Sequence, residues 1–128
     1  MKQEDGVLVK ETKQAALEVL WHNSRGPYSS LPRTAGWGYP ELYTRDLLIS
    51  ALGLLVSGDD KLIEKLRRVL TTLAKNHSRL GLIPSLVHDP EDRGSSDTTP
   101  LFIFTVALFR RVTGETSFLE EAVHRAMT

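Results

Sequence analysis

Apolar side chains recur every three to four positions in several stretches of the chain, which is the spacing of an amphipathic helix. The first such stretch runs from about residue 10 to residue 23 and is followed by Gly26-Pro27, a pair that ends helices. We expect residues 1–9 before it to fray or to form a short extended lead-in. Residues 42–57 predict a second helix, and because its body is apolar nearly all round we expect it to be buried on most sides.

Three further helices are predicted, and their order repeats. Residues 60–76 predict a helix with one apolar stripe and one charged side, residues 99–112 another apolar helix, and residues 117–126 a short amphipathic one. The turn and helix start at 57–64 have the same pattern as those at 113–120. The repeating unit is a long loop, a buried helix, a tight turn and an amphipathic helix. Consecutive αα-hairpins of this kind stack into a solenoid or a closed ring, so the predicted fold is all-α.

Long irregular segments, 24–41 and 77–97, precede the apolar helices, and glycine and proline recur in both. The first carries aromatic side chains, among them Trp37 and Tyr39. Aromatic residues argue against disorder, and they either plug the edge of the core or form a flat platform for a ligand. Both segments lie at the same end of the predicted repeat, where repeat proteins commonly build binding surfaces.

Each of the two apolar helices begins close to an aspartate. Asp46 lies in the first turn of one, and Asp97 lies just before the other, where Pro100 suits the first helical turn. Either Thr99 or Asp97 can cap that helix. The two carboxylates serve either as caps and partners of the helix dipoles or as parts of one shared site. At the other end of the second helix, Gly58 fits a left-handed terminus and an aspartate that follows it fits the next N-cap.

The composition excludes several classes of protein. The chain has 128 residues, enough for one domain with a core, and its 16 basic and 16 acidic side chains cancel. That balance argues against nucleic acid or an anionic membrane as the main partner. The lack of cysteine excludes disulfides and thiolate metal sites and favours a cytoplasmic location. The first six residues lack the apolar stretch of a signal peptide, and no metal or cofactor is expected.

Three segments resemble, in order, motifs of the six-hairpin, or (α/α)6-barrel, glycoside hydrolases. Residues 43–52 resemble their aromatic-x-Arg-Asp-apolar-Ser-Ala-Leu segment, and residues 81–84 resemble their Gly-Leu-Ile/Met-Pro loop. Residues 96–103 resemble the Val-Asp-Ser/Ala-x-Leu-Trp segment that opens the next inner helix, although Thr99-Pro100 departs from that pattern. The most similar members are bacterial amylo-α-1,6-glucosidases of the glycogen-debranching type, and next the neutral/alkaline invertases. The resemblance covers residues 36–127.

This resemblance implies hydrolysis of α-glucosidic or oligosaccharide substrates by two carboxylates. One acts as a general acid on the glycosidic oxygen, and the other acts as base or nucleophile on the opposite face of the sugar. Asp97 matches a catalytic or sugar-contacting aspartate and is the expected general acid. The expected substrate-binding residues are aromatic or charged and lie before or at the start of the second helix: Trp37, Tyr39, Tyr43, Arg45 and Asp46.

A ring of six hairpins needs a much longer chain than this one. The resemblance therefore implies an incomplete (α/α)6 toroid of about five helices, forming a single partial domain over residues 1–128. The second catalytic carboxylate of the family comes from a later hairpin, so we expect a fragment or N-terminal part of a glycosidase that is catalytically incomplete alone. Bare inner helices favour self-association or binding of the remaining hairpins. The alternative is a small helical-repeat binding or scaffold module without catalysis.

Overall fold

The chain is all-helical in its computed structural model, as the sequence predicts. The described residues are 2–28, 31–34, 39–115, 120 and 124, and they contain no strand, only an isolated bridge between Tyr43 and Leu86. The predicted fifth helix lies mostly outside the described residues. The helices whose full extent falls within these residues are α1 (Lys2–Asn23), α2 (Thr44–Ser57), α3 (Asp60–Lys75) and α4 (Thr98–Thr113).

The turn between α2 and α3 has the predicted chemistry. Gly58 ends α2 in the left-handed conformation with φ of 66°, and its N–H donates to the carbonyl of Leu55 at 3.3 Å. Asp59 is the N-cap of α3, and its carboxylate accepts the N–H of Leu62 at 3.0 Å. These two residues alone separate the helices. Gly114 ends α4 in the same left-handed conformation, with φ of 69°.

The core lies where α2 contacts both α3 and α4. The apolar stripe of α3 is the most deeply buried part, because Leu66, Leu70 and Leu73 are each 0% exposed. Phe102 and Phe109 of α4 are buried in the same core cluster. The stripe predicted for α3 is therefore confirmed.

The expectation that α2 is buried on most sides is wrong, and α4 also has an exposed apolar surface. Apolar side chains on one face of these two helices are about half exposed or more, and we call them the open face: Ile49 (55%), Leu52 (48%) and Val56 (84%) of α2, and Ile103 (54%) and Phe104 (57%) of α4. The buried residues of each helix lie away from these exposed positions. An apolar helix surface is buried only when another element covers it, and none of the described residues covers this one.

α1 begins at Lys2, well before the predicted start, so the segment 2–9 is helical rather than an extended lead-in. Glu4 and Asp5 in its first turn favour this extension, because negative charge stabilises a helix N-terminus. Residues 3–16 are all exposed, and only Leu17 and Leu20 pack against the core. None of the four helices combines the length and apolar character needed to cross a bilayer, within the part of the chain that is described.

Candidate functional site

The loop that follows α3 folds back onto the start of α2. The N–H of Thr44 donates to the carbonyl of Ser85 at 2.8 Å, and the N–H of Val87 donates to the carbonyl of Leu42 at 2.9 Å. These bonds flank the Tyr43–Leu86 bridge. The backbone around residue 43 is therefore fixed against the loop, which explains why α2 begins at Thr44 rather than at Leu42.

The same loop is also tied to the start of α4, through Ile83. The hydroxyl of Thr98 donates to the carbonyl of Ile83 at 2.8 Å, and the N–H of Ile83 donates to the hydroxyl of Thr99 at 3.0 Å. Ile83 itself is 1% exposed. Gly94 passes close by with φ of +75°, and a Cβ there would collide with the carbonyl of Ile83. The loop that carries segment 81–84 is therefore hydrogen-bonded to both of the other segments that resemble glycosidase motifs, 43–52 and 96–103.

Asp92 holds the loop in this conformation. Its carboxylate accepts the N–H groups of Ser85, Leu86 and Gly94. Partial desolvation opposes the charge of this carboxylate, but the three backbone hydrogen bonds outweigh that effect and place the pKa of Asp92 below its ordinary value. The sequence alone suggests that Asp92 is a solvated loop charge, and that interpretation is wrong. The sequence did contain a signal for this role, because an aspartate two residues before a glycine is typical of an Asx turn.

Arg45 and Asp97 join the starts of α2 and α4. Nε of Arg45 lies 2.6 Å from Oδ2 of Asp97, and Nη2 donates to Oδ1 at 3.1 Å, so the pair is bidentate. The hydroxyl of Ser95 also donates to Oδ1 of Asp97 at 2.9 Å. The side chains are 55% and 42% exposed, so the pair faces solvent. Asp97 occupies the N-cap position of α4, yet its side chain makes no capping hydrogen bond.

The electrostatics of this pair favour two full charges. The hydrogen bond from Arg45, helped by that from Ser95, lowers the pKa of Asp97 below its ordinary value. The same hydrogen bond raises the pKa of the Arg45 guanidinium, and the charges of Asp97 and Asp46 act in the same direction. Asp97 is therefore an anion at neutral pH. A general acid must instead hold a proton near neutrality, so the pairing suits an acceptor of hydroxyl hydrogen bonds better than an acid.

The remaining predicted site residues that the structure describes are exposed. Asp46 lies in the first turn of α2 and is exposed. Tyr43 is 38% exposed beside the bridge, and Tyr39 is 60% exposed in the preceding segment. Trp37 lies outside the described residues. The structure thus unites Arg45 with Asp97 and leaves the aromatic side chains that are described facing solvent.

A second polar cluster was not predicted. Nε2 of His88 lies 2.9 Å from Oε2 of Glu41, and the ring of Tyr28 stacks on that of His88 at 3.9 Å with an interplanar angle of 6°. The hydroxyl of Tyr28 donates to Oε1 of Glu41 at 3.4 Å, and the negative charge of Glu41, more than desolvation or this bond, raises the pKa of Tyr28. Because these residues come from two different loops, no local sequence pattern could have paired them. The cluster fastens the 24–41 segment to the 77–97 loop.

The described residues contain no group of three or more His, Asp or Glu side chains that could hold a metal ion. His88, which lies near several aspartates in sequence, pairs with Glu41 instead.

Searches against protein-family models, curated proteins and solved structures found no match to this chain. The functional argument therefore depends on the site itself and on the motif resemblance.

Proposed function

We propose that this chain is a partial (α/α) toroid domain of the glycoside hydrolase type, with a carbohydrate-binding surface at its loop end. Two features support the hairpin arrangement: the two-residue turn that joins the contacting helices α2 and α3, and the contact of α4 with α2. In this proposal α2 and α4 are neighbouring inner helices and α3 is an outer one. A cytoplasmic location, favoured by the lack of cysteine, belongs to the same proposal.

The single observation that carries the proposal is the exposed Arg45–Asp97 pair. It connects two of the three resembling segments through side chains that project from the starts of two helices. A charged pair that faces water offers donors and acceptors side by side, and vicinal sugar hydroxyls need both. Tyr43, partly exposed and two residues before Arg45, offers an aromatic surface for the apolar face of a sugar ring.

Of the two roles that the resemblance allows for Asp97, sugar contact is the better supported. Its lowered pKa keeps it anionic, whereas a glycosidase acid has a raised pKa. To act as the general acid, Asp97 must first lose the hydrogen bond from Arg45. The proposal therefore gives this chain sugar binding and assigns completed hydrolysis to a larger assembly that supplies the second carboxylate.

The test is a titration of the purified chain with maltooligosaccharides and with an aminosugar inhibitor, monitored by amide chemical shifts. We expect millimolar binding, with shifts centred on residues 43–46 and 95–98. Asp97→Asn should weaken binding about tenfold, equivalent to about 1.4 kcal/mol, because it removes the charge that fixes Arg45. Glu91→Gln is the matched control, since Glu91 is an exposed carboxylate of the same loop.

Two results would contradict the proposal in different ways. If none of these sugars changes the amide chemical shifts, or if Asp97→Asn and wild type bind them equally well, the proposed carbohydrate site is wrong. Turnover of an α-glucoside by this chain alone, abolished in Asp97→Asn, would instead show that the chain is catalytically complete and that Asp97 acts in catalysis.

A second candidate is a helical binding or scaffold module without catalysis. The open face favours it, because monomeric proteins rarely leave neighbouring apolar side chains of two packed helices uncovered. Loss of the sugar response with the fold intact would leave this module as the better explanation.

A further inference from the structure

A groove open to solvent lies between the end of α1 and the first half of α3. Its volume is about 280 Å³, and it is lined by Trp21, Ser24, Arg25, Lys61 and Lys65. A smaller inner cavity of about 50 Å³ shares Ser24 and Lys65 with the groove and is also lined by Arg33. Pockets for small molecules start at roughly 300 Å³, so the groove has the size for a small ligand rather than for a peptide or a helix.

Hydrogen bonds fix the wall of the groove that α1 provides. Ser24 is 8% exposed, its N–H donates to the carbonyl of Leu20 at 2.9 Å, and its hydroxyl donates to the carbonyl of Trp21 at 2.7 Å. The N–H of Arg33 donates to the carbonyl of Asn23 at 2.9 Å, which ties the 31–34 segment to the same turn. The opposite wall is the regular helix α3. The groove is therefore formed by backbone that is already ordered, and a ligand need not build it.

The charged side chains that line the groove and the inner cavity, among the described residues, are all cations: Arg25, Arg33, Lys61 and Lys65. Lys61, Lys65 and Arg68 recur at spacings of four and three, which places them on one side of α3. Burial lowers the pKa of Lys65, and the positive charges of Arg68 and then of Arg25 lower it further. The cations thus repel one another, and an anion bound between them would relieve that repulsion.

Carboxylates on the same two helices do not cancel this charge. They are Glu18, Asp59, Asp60 and Glu64, and none of them lines the groove or the inner cavity. Asp59 caps α3 by accepting a backbone N–H, and Glu64 pairs with Nε of Arg67 at 3.3 Å. Asp60 is spaced four residues from Glu64 and so shares its side of α3. Glu18 accepts a hydrogen bond from a glutamine one turn earlier in α1. The groove itself is therefore positive.

We propose that this groove binds a small phosphate monoester, with its phosphate held by Arg25, Lys61 and Lys65 and its organic part lying against Trp21. Arginine and lysine are the usual partners of phosphate in proteins, and a phosphate monoester carries a charge of about −1.5 to −2 near neutral pH. The ring of Trp21, 37% exposed, supplies an apolar wall next to the cations.

This site is separate from the candidate carbohydrate site. Lys61 follows the C-terminal end of α2, whereas Arg45 lies in its first turn. The 14 residues of α2 span roughly 21 Å at 1.5 Å per residue. The inference does not depend on the proposed function, and the amides that report on the two sites are different.

The test is a titration of the intact chain with inorganic phosphate, phenyl phosphate and phenol, monitored by amide and indole N–H chemical shifts. We expect both phosphates to shift residues 21–25 and 61–65 and to leave residues 43–46 and 95–98 unchanged. Phenyl phosphate should bind about fivefold more tightly than inorganic phosphate, because its ring stacks on Trp21. Phenol should cause no shifts at these residues, and added NaCl should weaken binding of both phosphates.

Variants separate a built site from the effect of overall charge. Arg25→Gln combined with Lys61→Gln should weaken phenyl phosphate binding at least about tenfold, because it removes two charged donors. Lys10→Gln combined with Lys75→Gln is the matched control, since it removes two exposed cations from the same two helices outside the groove. Trp21→Leu should bind phenyl phosphate no more tightly than inorganic phosphate.

Three outcomes would overturn the inference. If neither phosphate changes the shifts of residues 21–25 and 61–65, the groove is not a phosphate site. If the two double variants weaken binding equally, the chain attracts phosphate only through its surface charge. If Trp21→Leu keeps the preference for phenyl phosphate, the organic part does not lie where it is assigned. Circular dichroism of each variant checks that its helices are intact, so that a loss of binding is not a loss of folding.

Discussion

Asp92 and Asp97 belong to one loop, yet they accept hydrogen bonds from different kinds of donor and therefore have different roles. Asp92 accepts three backbone N–H groups and thereby shapes the chain around it. Asp97 accepts from the side chains of Arg45 and Ser95 and keeps a solvent-facing edge. A carboxylate that accepts backbone N–H groups stabilises the loop and is not free to bind a ligand. A carboxylate that accepts hydrogen bonds from exposed side chains can replace them with hydrogen bonds from a ligand. This difference separates the stabilising residue from the candidate binding residue.

Replacing Asp92 by asparagine should destabilise the fold by about 1 to 2 kcal/mol at pH 7, because a neutral amide oxygen replaces a charged acceptor for buried loop N–H groups. The folded-state pKa of Asp92 is lowered, so its contribution is complete above the unfolded value of about 4 and is lost as the pH falls below it. Urea midpoints at pH 7 and pH 3 should therefore show a large difference between the wild type and Asp92→Asn at pH 7 and a small one at pH 3.

Glu91→Gln is the control for this experiment, since it removes a neighbouring exposed charge that makes no such bonds among the described residues. A wild-type advantage over Asp92→Asn that stays constant down to pH 3 would show that ionisation of Asp92 does not stabilise the loop.

The helices show which features are encoded locally. The predicted span 60–76 and the observed α3, Asp60–Lys75, agree closely because Gly58 and Asp59 fix the turn by their own backbone preferences. The start of α1 was missed because residues 2–9 lack apolar periodicity, although their acidic first turn supports a helix. The exposure of α2 could not be predicted, since burial depends on which elements pack around a helix and not on its own composition.

The N-cap of α3 provides a prediction at the scale of the element. Asp59→Ala should lower the free energy of unfolding by about 1 kcal/mol, because the N–H of Leu62 loses its acceptor. Asp59→Asn keeps an oxygen in the same place and should stay within a few tenths of a kcal/mol of wild type. Thermal melts of the two variants at neutral pH make the comparison. Similar melting temperatures for the Asp59→Ala and Asp59→Asn variants would show that Gly58 and the core hold the turn without the cap.

For the candidate site, the sequence supplied the motifs and the structure supplied their contacts. The order of segments 43–52, 81–84 and 96–103 was visible in the chain, as was the position of Asp97 before an apolar helix. Its pairing with Arg45 was not, because a contact between residues so distant in sequence is set by how α2 and α4 pack. The cluster of Glu41 and His88 was missed for the same reason. Local chemistry was predictable, and long-range pairing was not.

At the scale of the whole molecule, stability is concentrated in α2, α3 and α4, and α1 contributes unevenly. Residues 3–16 of α1 are exposed throughout, including Val7, Leu8 and Val9 at 54%, 63% and 68%. Contact with the core begins only at Leu17 and Leu20. A helix segment without tertiary contacts has little stability of its own, because isolated helices of this length are marginal in water. The first half of α1 should therefore open far more often than the second.

Deletion of residues 1–13 consequently should change the melting temperature by no more than about 2 °C, since it removes no core contact. Leu20→Ala, by contrast, should cost about 1 to 2 kcal/mol, less than a fully buried leucine because Leu20 is only partly buried. Hydrogen exchange on the intact chain gives an independent measurement: amides of residues 5–13 should exchange rapidly and those of 18–23 slowly. If the deletion lowered the melting temperature as much as Leu20→Ala does, or if both halves of α1 were equally protected, the N-terminal half would have to pack against the rest of the molecule. In that case its exposed valines and leucine, rather than the open face of α2 and α4, would be the first place to look for an intramolecular contact.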